Sequence, residues 1–120
     1  MSSSVPHDLQ IDPRYAPLQA VLWDMDGTIV DTEPYWIQAE KDLVAEYGGS
    51  WTDSDAESMV GQALTYGAGL LQNAGVPLTV REIIDRLISQ VTENVSNRIP
   101  WRPGARELLA ELRENGVPCV

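Results

Sequence analysis

The chain has 120 residues, 43% hydrophobic and 22% charged, a balance that fits one globular domain and excludes disorder throughout. Its formal net charge is -10 with 8 Lys and Arg, which argues against a nucleic-acid partner and leaves any anionic substrate in need of a compensating cation. Cys119 is the single cysteine, so no internal disulfide forms, and no run is apolar and long enough to span a membrane.

Residues 1–18 are polar, with Pro6, Pro13 and Pro17, and read as a flexible N-terminal arm. They carry no basic n-region or apolar h-region, so they are not a signal peptide, and the expectation is a cytoplasmic protein. His7, the only histidine, reads as a solvated tail residue.

Ala20 to Trp23 is a continuous apolar run of the kind that forms a strand buried on both faces. It ends in Asp24-Met25-Asp26-Gly27-Thr28-Ile29-Val30. In an extended chain residues i and i+2 project to the same side, so Asp24 and Asp26 are expected to leave the strand end together. Unpaired buried acids are costly, which points to chemistry there rather than to stability. Asp26-Gly27 also reads as a hairpin turn into Thr28-Ile29-Val30, a small flap compatible with a catalytic site. An EF-hand calcium loop fails: counted from Asp24, its sixth and twelfth positions hold Ile29 and Tyr35 rather than Gly and Glu. The Asp-x-Asp pair alone also fits the metal-binding dipeptide of sugar-nucleotide transferases.

Four helical segments follow, from about Glu33 to Asn97, and predict a small bundle. The first opens at Thr32-Glu33-Pro34, buries Trp36, Ile37, Leu43, Val44 and Tyr47, and stops at Gly48-Gly49. Thr52 and Asp55 resemble a capping box for a short helix ending at Gly61. Thr65 to Asn73 is a weaker helix, because Gly67 and Gly69 each cost about 1 kcal/mol relative to Ala. Thr79 and Glu82 form a second capping box before Val80, Ile83, Ile84, Leu87, Ile88, Val91 and Val95 at helical spacing; this helix is expected to pack on the other three.

Pro100 to Gly104 reads as a loop, Ala105 to Glu114 as an amphipathic helix carried by Leu108, Leu109 and Leu112, and Asn115-Gly116 as its left-handed cap. Val117 to Val120 starts a second apolar run. Strand, inserted bundle, helix, strand is the beginning of a parallel α/β sheet, so the chain reads as the N-terminal portion of a longer protein, truncated inside its second core strand.

The string Asp24 to Pro34 resembles the first motif of the haloacid dehalogenase superfamily, in its phosphatase and phosphomutase branch. The helices after it resemble that family's inserted cap, and Pro103-Gly104-Ala105 to Gly116-Val117-Pro118 resembles the return to the core. The resemblance implies a Rossmann-like α/β core, partial here over residues 19–32 and 98–120, with a helical cap over 33–97. It implies a hydrolase with Asp24 as nucleophile forming an aspartyl phosphate, and Asp26 as acid and base. Gly27 and Thr28 would contact the phosphate. Two acids beside a phosphate repel it by about 4 kcal/mol per charge pair at 4 Å and an effective dielectric of 20, so a cation must offset them. Mg2+ is the expected cofactor, and the resemblance implies the Asp24 carboxylate and the Asp26 main-chain carbonyl as its protein ligands.

By the same resemblance, Asp at position 26 sets the chain apart from dehalogenases, phosphonate-cleaving members and transport ATPases. A Ser or Thr, a Lys or Arg and an acidic pair would lie in a C-terminal core beyond Val120, so these residues alone are expected to be inactive. In β-phosphoglucomutase-like members a His follows the first motif, and a basic residue with Gly-x-x-Arg sits in the cap. Those positions here resemble Trp36 and Val60-Gly61-Gln62-Ala63-Leu64, with no cation for a second phosphate, which favours a phosphatase acting on a small phosphorylated metabolite. A sugar phosphomutase and a non-catalytic phosphometabolite-binding relative are the alternatives. Lys41 and Arg81 read as solvated surface. Asp31-Thr32 and Arg98 to Arg102 are the two crossings where any hinge motion would be absorbed.

Overall fold

The computed structural model describes residues 17–120; His7 and nearly all of the expected N-terminal arm lie outside them. Within them, five helices follow one another: α1 (Glu33–Glu46), α2 (Asp53–Glu57), α3 (Leu64–Asn73), α4 (Val80–Asn97) and α5 (Ala105–Glu114). None is long and apolar enough to cross a membrane.

The local signals act as the sequence predicts. Pro34 sits in the first turn of α1, where its missing N–H costs nothing, and Gly48 leaves the helix at a φ of +76°. Both capping boxes form: Asp55 N–H donates to Thr52 Oγ1 at 3.1 Å, and Glu82 N–H donates to Thr79 Oγ1 at 3.2 Å. Replacing Thr79 by Ala orphans one α4 donor, and a loss of about 1 kcal/mol in denaturant unfolding is expected.

At Gly67 of α3 a Cβ would meet Met59 Cε, the free end of a flexible side chain in the turn after α2 that can swing aside. Gly69, by contrast, has open space around it.

The core lies in α1, α3 and α4. Leu71, Ile83 and Val44 are fully buried and are joined by Ala39, Leu43, Ala68, Val76, Leu87 and Val91. Trp36, Trp51 and Met59 pack against that cluster from its edges. The helix α4 packs against α3 and α1, while α2 attaches through α1, so α4 does not serve all three neighbours as expected. Tyr47 and Ile88 leave the expected stripe and are exposed: Tyr47 lies past the end of α1, and Ile88 sits outside the Ile83, Leu87, Val91 line.

Chain before α1 and after α4 meets in short bridges rather than named strands. Val21 pairs with Cys119 in parallel: Val21 N–H donates to the Pro118 carbonyl at 2.9 Å, and Trp23 N–H to that of Val120 at 2.7 Å. The parallel sense is the one expected of the two apolar runs. Burial on both faces is not observed, because Leu22 is 82% and Val120 78% exposed and no described helix covers them. Leu108 of α5 is exposed too, contrary to its place in the expected apolar stripe.

The expected two-residue hairpin also does not form. The Met25 carbonyl accepts from the N–H groups of Thr28, Ile29 and Val30 at 3.0 to 3.2 Å, which curls the chain into a tight knot. Val30 then pairs antiparallel with Trp101, on the return crossing, instead of with the run before Asp24.

Candidate active site

The knot around Met25 shapes the acid pair. Gly27 stands at its apex with a φ of +79°, a left-handed conformation that a side chain would strain, and its N–H donates to the Val30 carbonyl at 2.7 Å. Asp24, Met25, Asp26, Gly27 and Thr28 are all exposed, so both carboxylates are open to a ligand from solution.

Each acid has one hydroxyl partner from the chain that follows. Thr28 Oγ1 reaches Asp24 Oδ2 at 3.5 Å, a long contact that leaves the carboxylate largely unconstrained. Thr32 Oγ1 donates to Asp26 Oδ1 at 3.1 Å. Thr32 is buried, and it is the residue that caps α1, yet its hydroxyl makes no helix cap. Asp31 takes that place loosely, its Oδ1 accepting from Glu33 N–H at 3.4 Å. The two acids therefore differ: Asp24 is loosely held, and Asp26 is anchored to the start of α1.

The crossings are tied to each other. Asp31 N–H donates to the Pro100 carbonyl and Arg102 N–H to the Ile29 carbonyl, both at 2.8 Å. Asp31 and Thr32 thus stand between the acid pair and the helical body. Trp36 is half-buried against the helical core, which accounts for it by packing alone. Gly61 lies exposed in the turn after α2 with a φ of +75°, where its role is conformational.

The cations of the helical body are placed elsewhere. Lys41 pairs with Asp53 of α2 at 2.5 Å, which holds the Asp53 carboxyl below its usual range. Arg81 lies 3.9 Å from Asp85, Arg86 pairs with Glu46, and among the described residues no ion pair involves Asp24 or Asp26.

A hard divalent cation fits what the knot offers. The carbonyl oxygen of Asp26 takes no backbone hydrogen bond among the described residues, and Asp24 Oδ1 is likewise uncommitted. Two oxygen donors suit an ion that keeps most of its water and shares its site with substrate phosphate, as Mg2+ does. No group of three metal-ligating side chains occurs among the described residues, so these two positions carry the fit.

Residues 21–120 match the family model described as haloacid dehalogenase-like hydrolase. The chain belongs to that family. Hexitol phosphatase B of Escherichia coli (strain K12) is 30% identical over 108 residues, covering 82% of this chain and 46% of the relative. Phosphoglycolate phosphatase of Yersinia pestis is 28% identical over 114 residues, covering 88% and 47%. A crystal structure described as a beta-phosphoglucomutase from Thermotoga maritima aligns with a TM-score of 0.68 at 24% identity, covering 84% of this chain and 47% of that one. At that identity the likeness establishes the fold. The chain spans about half the length of the curated relatives it matches.

One buried acid escaped the sequence reading. Glu40 of α1 is only 3% exposed, and burial pushes its carboxyl up to about 7, with the Trp51 indole beside it pulling slightly the other way. Neither Glu40 Oε1 nor Trp51 Nε1 reaches a partner in good hydrogen-bond geometry, so the indole offsets little of the burial. A signal existed: position 40 falls four residues from both Trp36 and Val44, on the buried stripe.

Proposed function

We propose that this chain is the motif-bearing part of a magnesium-dependent phosphatase that removes phosphate from a small phosphorylated metabolite through Asp24. The observation that carries the reading is the unequal pair: Asp24 open and loosely held, Asp26 fixed by Thr32 immediately beside it.

A carboxylate oxygen of Asp24 attacks phosphorus, forming an aspartyl phosphate as the bond from phosphorus to the leaving oxygen breaks. Asp26, its Oδ1 occupied by Thr32, acts as the general acid through Oδ2, protonating that leaving oxygen. Asp26 then takes a proton from the water that attacks phosphorus, which releases inorganic phosphate and restores Asp24. Gly27 and Thr28 lie beside the reacting group; the Gly27 N–H is committed to the Val30 carbonyl and the Thr28 N–H to that of Met25, so the Thr28 hydroxyl is the donor the knot offers a phosphate oxygen. Magnesium, when held by the Asp24 carboxylate and the Asp26 carbonyl, supplies the positive charge that lets two acids and a phosphate share one site.

A phosphatase is favoured over a sugar phosphomutase by the side chains of the helical body. Trp36 is used in packing, residues 60–64 carry no cation, and Lys41 pairs with Asp53. A mutase must hold a second phosphate, for which cations are the usual means. The named relatives, hexitol phosphatase and phosphoglycolate phosphatase, point the same way. We place the remaining phosphate-binding groups in the rest of the relatives' length, and expect the 120 residues alone to release no phosphate. A cytoplasmic setting accords with this substrate class.

The test is a panel of phosphorylated sugars, sugar alcohols and short hydroxy acids offered to the full-length protein with Mg2+. Inorganic phosphate release that chelation abolishes and Mg2+ restores is the expected result. Interconversion of sugar phosphates without phosphate release would overturn the phosphatase reading, and binding without turnover would leave the non-catalytic alternative.

A further inference from the structure

Tyr35 carries a hydroxyl whose use the mechanism leaves open. Its ring, in the first turn of α1, packs against the helical core, and its Oη donates to the Arg98 carbonyl at 2.8 Å across 63 residues of sequence. Arg98 directly follows α4, at the helix end where carbonyls lack an intrahelical partner. The phenol thus fastens the end of α4 to the start of α1.

The fastening matters because of what lies beside it. The return crossing is held to the outgoing one by the two 2.8 Å bonds from Asp31 and Arg102, and Pro100 has no N–H with which to add a third. Thr32 sits between the Asp31 bond and the Tyr35 bond. Its carbonyl accepts from Tyr35 N–H at 2.9 Å and Trp36 N–H at 3.1 Å, while its hydroxyl reaches out to Asp26. The position of that hydroxyl is therefore set from one side by the paired crossings and from the other by the turn that Tyr35 anchors.

We infer that Tyr35 is a positioning residue for Asp26: its hydroxyl holds the two crossings in the register at which Thr32 meets that carboxylate. The inference rests on the reading of Asp26 as the acid and base. Tyr35 never touches substrate in this scheme. It acts through Thr32, and a loosened Arg98 contact lets the start of α1 drift relative to the acid knot.

Hydrogen exchange and steady-state kinetics on the full-length protein test this with Tyr35→Phe, Thr32→Val and the double variant. Phe keeps the ring and its packing, and the exposed Arg98 carbonyl finds water, so the fold is retained. In Tyr35→Phe the Asp31 and Arg102 amides should exchange about 3 to 10 times faster, while the Leu87 amide in the core of α4 stays unchanged. The same variant should lower kcat about 3- to 10-fold at constant KM. Because Tyr35 acts through Thr32, the double variant should be no slower than Thr32→Val alone. Unchanged exchange in Tyr35→Phe overturns the clasp, and additive losses in the double variant overturn the route through Thr32. Full activity in Asp26→Asn removes the acid-and-base reading instead, and the inference with it.

Discussion

Asp24→Asn in the full-length protein is expected to lower phosphate release by about 10⁴-fold, with substrate binding retained. The amide is a poor nucleophile of the same size, so the site loses its bond-forming atom and little else. Asp24 has only a 3.5 Å contact with Thr28, and replacing one carboxylate oxygen by an amide nitrogen disturbs no strong hydrogen bond. Stability should therefore stay within about 0.5 kcal/mol of the parent, as for surface changes generally. Acid-quenched protein, caught during turnover, should carry one phosphoryl group on Asp24 in the parent and none in the variant. Parent-like rates in Asp24→Asn, or phosphoryl found on another residue, would refute the assignment. Asp26→Asn gives a different pattern: the nucleophile survives, so the phosphoryl group should accumulate on Asp24 when the leaving group needs no proton.

The residues that made the acid pair legible are contiguous. Asp24 to Pro34 carries the family likeness in eleven letters, and both capping boxes are written within four, because each depends on contacts between near neighbours. What the sequence hid are choices between partners. Thr32 is placed to cap α1, and nothing in the local string says that its hydroxyl turns back six residues to Asp26. The hairpin expected at Asp26-Gly27 loses to a knot around one carbonyl and to a pairing of Val30 with Trp101, some 70 residues on. Tyr35 and Arg98 are likewise joined only by the fold. Burial was legible where the faces of α1, α3 and α4 converge and illegible for Leu22, whose exposure depends on what packs over it.

Glu40 supplies the second large effect, on stability rather than on activity. Its carboxyl ordinarily ionises at 4.5; in the folded chain burial raises this to about 7. Between those values the unfolded chain has released a proton that the folded chain still holds, so unfolding gains as pH rises. The sign is thus opposite to that of a salt-bridged carboxylate. The neutral acid is tolerated fully below the ordinary value, and stability is lost progressively until pH passes about 7. At 1.36 kcal/mol per unit the full loss amounts to about 3 kcal/mol, set chiefly by desolvation because the Trp51 indole does not close a good hydrogen bond. Glu40→Gln keeps the shape and removes the titration. Its melting temperature should match the parent near pH 4 and exceed it by several degrees at pH 8, since about 1 kcal/mol moves a domain of this size by about 4 °C or more. A difference between the two proteins that stays flat from pH 5 to 8 would mean that Glu40 ionises in the folded chain as it does in water. That would place a partner, or solvent, at the carboxyl that α1 turns toward Trp51.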